Sequence, residues 1–260
     1  MQAVLDRPPA TTAPLLALEG VSKLFGRDTL ALDGFDLALR EGELVSLLGP
    51  SGCGKSTALR IAAGLIEPTR GRVAWSDPAV RDDLGVVFQD PTLMPWATVA
   101  DNIWLPLRLR GRSRPDARDE IDRAIDLVGL AGFEGAYPRE LSGGMRMRVS
   151  IARAFVTRPR LILMDEPFAA LDEITRHRLN HDLLAVREAV GATILFVTHS
   201  VFESVFLSTR VAVMGPRPGR VVAGVPIPVA HPREEAFRTS AEYAALCREV
   251  SATLARAMAP

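Results

Sequence analysis

Residues Gly49-Pro50-Ser51-Gly52-Cys53-Gly54-Lys55-Ser56 match the pattern GxxxxGK[ST] at every position. Glycines at that spacing let the backbone wrap until several N–H groups point at one anion, and a helix starting there adds its partial positive charge. Lys55 then reaches the β- and γ-phosphates of a nucleotide, Ser56 ligates Mg²⁺, and Thr57 closes the loop. A chance glycine turn needs neither an apolar strand before it nor a helix after it, and both are present: Leu44, Val45, Leu47 and Leu48 precede the loop, and Leu59, Ile61, Ala62 and Ala63 follow it. Lysine occurs only at positions 23 and 55, against a background of arginine. A compact ammonium in a glycine loop does what a planar guanidinium cannot.

Four further positions carry chemistry if they lie near that loop. Residues 161–164 form an apolar run ending in Asp165-Glu166. Asp165 would hold Mg²⁺, directly or through water, and Glu166 would polarise the attacking water. The bland reading of two such acids is helix capping. His199, after the apolar run 193–197, could hydrogen-bond a γ-phosphate, and Gln89, after 84–88, could join the metal's surroundings. His177 and His181 stand at i, i+4, but with Arg176 and Arg178 beside them and no third ligand they read as a solvated helix face. Cys53, at a helix start, could be a reactive thiolate or simply a small residue that fits.

These residues need a sheet to hold them together. Runs 15–21, 30–39 and 43–48, separated by Gly20, Asp33-Gly34 and Glu41-Gly42, have strand chemistry. Residues 44–48 are apolar almost throughout, as in a parallel strand covered on both faces. A short helix is expected at 56–64, strands at 71–75 and 84–89, and helices at 118–130 and 145–156 within a helical insert of about 98–157. Strand patterns return at 161–164, 194–197 and 211–214, with a helix at 173–190. Alternation of strand, helix and strand means α/β with a mainly parallel sheet. A proline-spaced stretch, 216–233, leads to a helical tail over 234–257.

Bulk composition sets limits. The 260 residues are 48% hydrophobic and 24% charged with a formal net charge of zero, so the total does not favour nucleic acid. The two cysteines, Cys53 and Cys247, give no disulfide framework, which suits a reducing compartment. The first 14 residues read as a flexible, proline-rich lead without a signal-peptide core, and the longest apolar runs are far short of the ~20 residues of a spanning helix. The chain is expected to be soluble or peripheral.

Between the phosphate loop and the Asp-Glu pair lies Leu141-Ser142-Gly143-Gly144-Met145, which opens a helix pattern. With it, the motifs together resemble the nucleotide-binding subunits of ABC transporters over residues 15–230. Residues 49–57 look like Walker A, Gln89 like the Q-loop glutamine, 141–144 like the family signature and 161–166 like Walker B. Ala170-Leu171-Asp172 looks like the D-loop, His199 like the switch histidine, and Phe25 stands where the family stacks an aromatic on adenine. Three positions depart from the pattern: Met145 replaces glutamine, Phe25 the commoner tyrosine and Ala169 a serine. None removes a catalytic group.

The resemblance implies a P-loop NTPase fold of the ABC type, with a mainly parallel core sheet, an antiparallel β subdomain and an inserted α-helical subdomain, followed by a tail at 231–260. It implies ATP and Mg²⁺ as ligands. It implies a head-to-tail homodimer in which each ATP lies between Lys55 of one copy and Ser142, Gly143 and Gly144 of the other, with Asp172 also among the ATP-binding residues. Glu166, His199, Gln89 and Lys55 would be catalytic. Transmembrane permease subunits, and through them an extracytoplasmic substrate-binding protein, would be the partners, and the chain would sit at the cytoplasmic face of the cell membrane. Residues 91–107 put Leu93, Met94, Pro95 and Trp96 in a proline-bracketed span, a poor core helix and a suitable apolar face for a permease. That LMPW, with Met214-Gly215-Pro216-Arg217-Pro218-Gly219-Arg220, resembles importers of the nitrate, sulfonate, taurine and bicarbonate group. Three readings compete: an exporter or lipid-transport ATPase, a nucleic-acid-associated ABC ATPase, and a non-catalytic nucleotide-binding regulator. A single phosphate loop, with no zinc cluster and no long heptad run, speaks against the second.

Overall fold

The computed structural model describes residues 13–259. The expected flexible lead at 1–14 therefore lies, but for Ala13 and Pro14, outside the described residues. The chain opens with β1 (Leu16–Phe25), β2 (Thr29–Leu39) and β3 (Leu44–Leu48), then α1 (Lys55–Ala62), β4 (Arg70–Trp75), α2 (Pro78–Asp82) and β5 (Leu84–Val87). Three helices follow, α3 (Val99–Leu109), α4 (Arg118–Leu127) and α5 (Gly143–Phe155). Then come β6 (Leu161–Asp165), α6 (Glu173–Val190), β7 (Thr193–Thr198), α7 (Val201–Leu207) and β8 (Arg210–Met214). The chain ends with β9 (Val221–Pro226), α8 (Glu235–Arg238) and α9 (Ala241–Met258).

The strands form two sheets. One has the order β2-β1-β4, with β1 antiparallel to both neighbours. The other has the order β5-β6-β7-β3-β8-β9, parallel throughout except that β9 joins its edge antiparallel to β8. All residues of β3, β6 and β7 are buried, as expected of strands covered on both faces.

The period of two along these strands builds the layers. Leu44, Leu48, Ile162, Met164, Ile194 and Phe196 face a core shared with the helical segment, α6, α7 and α9. Their neighbours Val45, Leu47, Leu161, Leu163, Leu195 and Val197 face a second core shared with α1 and the three-stranded sheet. Each such fully buried side chain contributes roughly 1.5–3 kcal/mol, so a charge at any of them would break one layer.

Several sequence expectations needed correction. Gly20 and Asp33-Gly34 do not separate strands; they lie inside β1 and β2. Gly20 is absorbed by a register shift between Leu18 and Val21 and has φ +57°. Opposite it, a Cβ on Gly71 would fall 2.4 Å from the Gly20 carbonyl oxygen, so that crossing requires glycine. The stretch 216–233 contains β9, and Pro226 is tolerated there because β9 is an edge strand. The tail is two helices: Ser240 restarts the chain as N-cap of α9, its hydroxyl accepting from Tyr243 N–H at 3.0 Å.

The tail is fastened to α7. Tyr243, Cys247 and Val250 of α9 join the larger core, and the Tyr243 hydroxyl donates to the Phe202 carbonyl at 2.9 Å. The buried Arg233 donates to the carbonyls of Val205, Phe206, Ser208 and Val229 at 2.7–2.9 Å, satisfying the C-terminal end of α7. His181 is not a solvated face residue. Its Nε2 lies 2.5 Å from Glu235 and its ring packs edge-on against Phe206, because the C-terminal segment folds back over α6.

Candidate functional site

Four adjacent parallel strands, β5-β6-β7-β3, all point their carboxyl ends the same way. Gln89 follows β5, Asp165 and Glu166 end β6, Thr198 and His199 end β7, and the loop 49–54 follows β3. Ligands of open α/β sheets bind outside the carboxyl ends of such strands. Residues more than a hundred positions apart in sequence thus meet because the strand order sets β7 beside β3 and β6 beside β7.

The loop has the backbone its glycines permit. Gly52 and Gly54 have φ of +77° and +107°, and Gly54 is the N-cap of α1. A Cβ on Gly54 would lie 2.8 Å from the Ala31 carbonyl oxygen, and one on Gly49 would lie 2.9 Å from the Met214 Cβ. Pro50 and Ser51 form the outer turn, and Ser56 and Thr57 sit half-buried in the first turn of α1. Cys53 is buried, and burial raises its thiol above the ordinary value against the lowering effect of Lys55. Of the two readings of Cys53, its burial favours the small residue that fits, since desolvation at this helix start outweighs the positive end.

Lys55, only 4% exposed, donates to the carbonyls of Gly49 and Pro50 at 2.9 Å each and stands 3.3 Å from Glu166 Oε1. The Ser56 hydroxyl donates to Asp165 Oδ1 at 2.8 Å. A hydroxyl and a carboxylate at that distance are two hard oxygen donors able to hold a small divalent cation. Burial pushes the Asp165 carboxyl above its usual range, opposed by the Ser56 hydrogen bond and reinforced by the Glu166 charge. Among the described residues no cluster of three or more His, Cys, Asp or Glu could hold a metal unaided. A cation here would need oxygens from a ligand, as Mg²⁺ does at phosphate sites.

Glu166 has φ +46°, a left-handed conformation that costs a non-glycine residue of order 1 kcal/mol or more. Its N–H donates to the Val197 carbonyl at 3.0 Å, which fixes β6 to β7 at this point, and its Oε2 lies 3.1 Å from His199 Nδ1. One carboxylate thus faces both Lys55 and His199.

The remaining predicted residues lie elsewhere on the same surface or beyond it. Gln89 is exposed after β5. Phe25 ends β1 with its ring 41% exposed and the Lys23 ammonium 5.3 Å from the ring centroid. Ser142 is the N-cap of α5, its hydroxyl accepting from Met145 N–H at 3.2 Å, with Gly143 exposed beside it. A Cβ on Gly144 would lie 2.8 Å from Thr175 Cγ2, so the helical segment abuts the start of α6 there. Met145 packs against the larger core. Asp172 is the N-cap of α6; its Oδ1 accepts from Thr175 N–H at 2.9 Å, which holds its carboxyl below the usual range.

Trp96 is 76% exposed, while Leu93 and Met94 are half-buried and Leu93 packs on the core. The loop that carries them is clamped from both sides. Asn102, fully buried on α3, accepts from Met94 N–H at 2.8 Å and donates to the carbonyls of Met94, Ala97 and Thr98 at 2.9–3.2 Å. Arg153 of α5 donates to the carbonyls of Pro91 and Thr92 at 2.9 and 3.0 Å. Neither residue is recognisable from sequence, because each works through backbone groups far from any motif.

A family model described as "ABC transporter" matches residues 32–169, more than half of the chain. The chain belongs to the ABC transporter family. As an ABC ATPase it binds and hydrolyses nucleotide. The aliphatic sulfonates import ATP-binding protein of Rhodopseudomonas palustris is 43% identical over 242 residues, 93% of this chain and 84% of that protein. The taurine import ATP-binding protein of Rhizobium johnstonii is 42% identical over 238 residues, 88% of this chain and 91% of that one. Among solved structures, a dimeric ATP-binding cassette in a post-hydrolysis state, bound to ADP and Pi, superposes with a TM-score of 0.72 at 31% identity, covering 83% of this chain and all of that one.

Proposed function

We propose that this ABC ATPase energises uptake of a small sulfonate-type solute through a partner permease, hydrolysing Mg-ATP between two copies of itself. The observation that supports the chemistry best is the meeting of Lys55, Ser56, Asp165, Glu166 and His199 at the carboxyl ends of three adjacent strands, with Ser56 2.8 Å from Asp165 and Glu166 3.3 Å from Lys55 and 3.1 Å from His199. The cargo class comes from the sulfonate and taurine import relatives. In such systems cargo is chosen outside this subunit, by the permease and an extracytoplasmic substrate-binding protein.

The residues divide the work. Backbone N–H groups of 50–57 and the Lys55 ammonium bind the β- and γ-phosphates; Lys55 exchanges its carbonyl and Glu166 contacts for phosphate oxygens. Ser56 and Asp165, with Gln89, would hold Mg²⁺, which would offset the charge of the triphosphate. Phe25 stacks on the adenine. Glu166 accepts a proton from the attacking water, and His199, 3.1 Å from it, orients that carboxylate and the γ-phosphate. Ser142, Gly143, Gly144 and Asp172 of the second copy close over the nucleotide, with α5 aiming its N-terminal dipole at the γ-phosphate.

Leu93, Met94 and Trp96 form the permease contact at the cytoplasmic face of the membrane, since their loop is clamped by Asn102 and Arg153 yet leaves the Trp96 ring in solvent. Among the described residues no helix is long and apolar enough to cross a membrane.

The direct test is single-turnover hydrolysis by the full-length chain. Native protein is expected to release phosphate from Mg-ATP, and Glu166→Gln to bind ATP with similar affinity while slowing release by about 100-fold or more. A Glu166→Gln variant that hydrolyses at the native rate would remove Glu166 from the mechanism.

A further inference from the structure

Ser200 is the N-cap of α7, its hydroxyl accepting from Glu203 N–H at 3.3 Å. In an ordinary capping box the glutamate at the third helical position returns the favour by accepting from the cap residue's own N–H. Here a hydroxyl is inserted. Thr198 Oγ1 accepts from Ser200 N–H at 3.0 Å and donates to Glu203 Oε2 at 2.5 Å. The enlarged box therefore closes around His199, the residue between Thr198 and Ser200.

The other oxygen of the same carboxylate leads away from the switch. Glu203 Oε1 lies 3.5 Å from Arg176 Nε, and Arg176 also donates from Nη2 to the Leu171 carbonyl at 3.0 Å. Arg176 sits in the first turn of α6, four residues after Asp172, the helix N-cap. One guanidinium thus touches both the 170–172 segment and the carboxylate that fixes the turn at His199. Glu166, Ala169, Arg176, His199 and Glu203 share the walls of a single cleft of about 10 Å³, so the pair stands directly behind the catalytic carboxylate. A salt bridge that served only to hold α6 against α7 would have no need of Thr198, and its glutamate would be free to take the Ser200 N–H.

We propose that Arg176 and Glu203 are positioning residues that set His199 against Glu166 and tie its position to the 170–172 segment, which in a dimer lies next to the second copy. This rests on the reading of Glu166 and His199 as the hydrolytic pair. Glu203 is 7% exposed, and burial raises its carboxyl above the ordinary range despite the Thr198 hydrogen bond and the Arg176 charge. Neutralising it therefore spares the fold while cutting its hold on Arg176.

A double-mutant cycle on the full-length chain separates positioning from plain structure. Single-turnover hydrolysis and ATP affinity are measured for Glu203→Gln, Arg176→Met, Arg176→Lys, His199→Ala and the Glu203→Gln/His199→Ala pair. Expected are a fall of about tenfold in hydrolysis for Glu203→Gln and Arg176→Met, ATP affinity within about twofold of native, and partial recovery in Arg176→Lys. In the His199→Ala background, Glu203→Gln should change the rate by less than about twofold, because it acts through a side chain already gone. An equal fall in both backgrounds, or no fall in either, overturns the relay. If thermal denaturation shows Glu203→Gln to be poorly folded, Thr198→Val takes its place in the cycle, with Thr198→Ser as rescue and the same criteria. A native chain without turnover, or a His199→Ala rate equal to native, would instead defeat the hydrolytic reading itself, so the two failures are told apart.

Discussion

Glu166 and Asp165 show how much this site sacrifices locally for chemistry. Glu166 occupies a left-handed backbone, and Asp165 is buried with its carboxyl raised, next to a second negative charge. A group whose folded pKa is raised contributes more stability protonated than ionised, so at neutral pH Asp165 weighs against the fold. Asp165→Asn is expected to raise the thermal midpoint of the nucleotide-free protein while abolishing Mg²⁺-dependent hydrolysis, a trade common at functional sites. Thermal denaturation of the nucleotide-free protein checks the first half and phosphate release from Mg-ATP the second; a lowered midpoint would contradict the burial argument. At this scale the sequence was informative where chemistry is contiguous. The loop 49–57, Asp165-Glu166 and Ser142-Gly143-Gly144 each announce themselves in a few neighbouring residues. Arg176, Glu203, Asn102 and Arg153 do not, because their partners are backbone groups or side chains brought near only by folding.

Among the elements, strands and helices with strong periodicity were legible and their junctions less so. β3, β6 and β7 are short apolar runs bounded by turn chemistry, and they lie where the pattern puts them. β1 and β2 run on through Gly20 and Gly34 because cross-strand pairing outweighs a local turn preference. α7 is too short for periodicity, and β9 hides among prolines. Between β9 and α8 lies His231, whose imidazole is lowered from 6.5 to about 4 by burial first and then by the Arg233 and Arg187 charges, with neither ring nitrogen hydrogen-bonded. A depressed pKa means the folded state resists protonation. Stability held above about pH 6.5 is therefore lost as pH falls towards 4, by on the order of 2 kcal/mol. The raised carboxyls of Asp165, Asp182 and Glu203 act in the opposite sense, so the contribution of His231 is read as a difference. Denaturant unfolding at pH 7 and pH 5 should show a smaller acid loss for His231→Gln than for native protein; equal losses would mean that His231 protonates freely when folded.

For the whole molecule, the two-sided core covers both faces of the six-stranded sheet, with the proposed hydrolytic residues at the carboxyl ends of its inner strands and Trp96 exposed on a clamped loop. Trp96→Glu is expected to abolish co-purification with the permease and to leave ATP affinity within about twofold of native, since the ring touches none of the phosphate-binding residues. Retained assembly would move the permease contact elsewhere. The mainly parallel sheet was readable from strand–helix alternation, whereas the strand order that makes one site from residues 49–57, 165–166 and 199 was not: alternation gives the elements, and only crossover packing gives their sequence across the sheet.

The central claim is that triphosphate is held by two copies of the chain at once. Light scattering of the full-length Glu166→Gln variant measures this directly: saturating Mg-ATP should double its mass, and ADP should not. An unchanged mass with ATP, with ADP and with no nucleotide would contradict it.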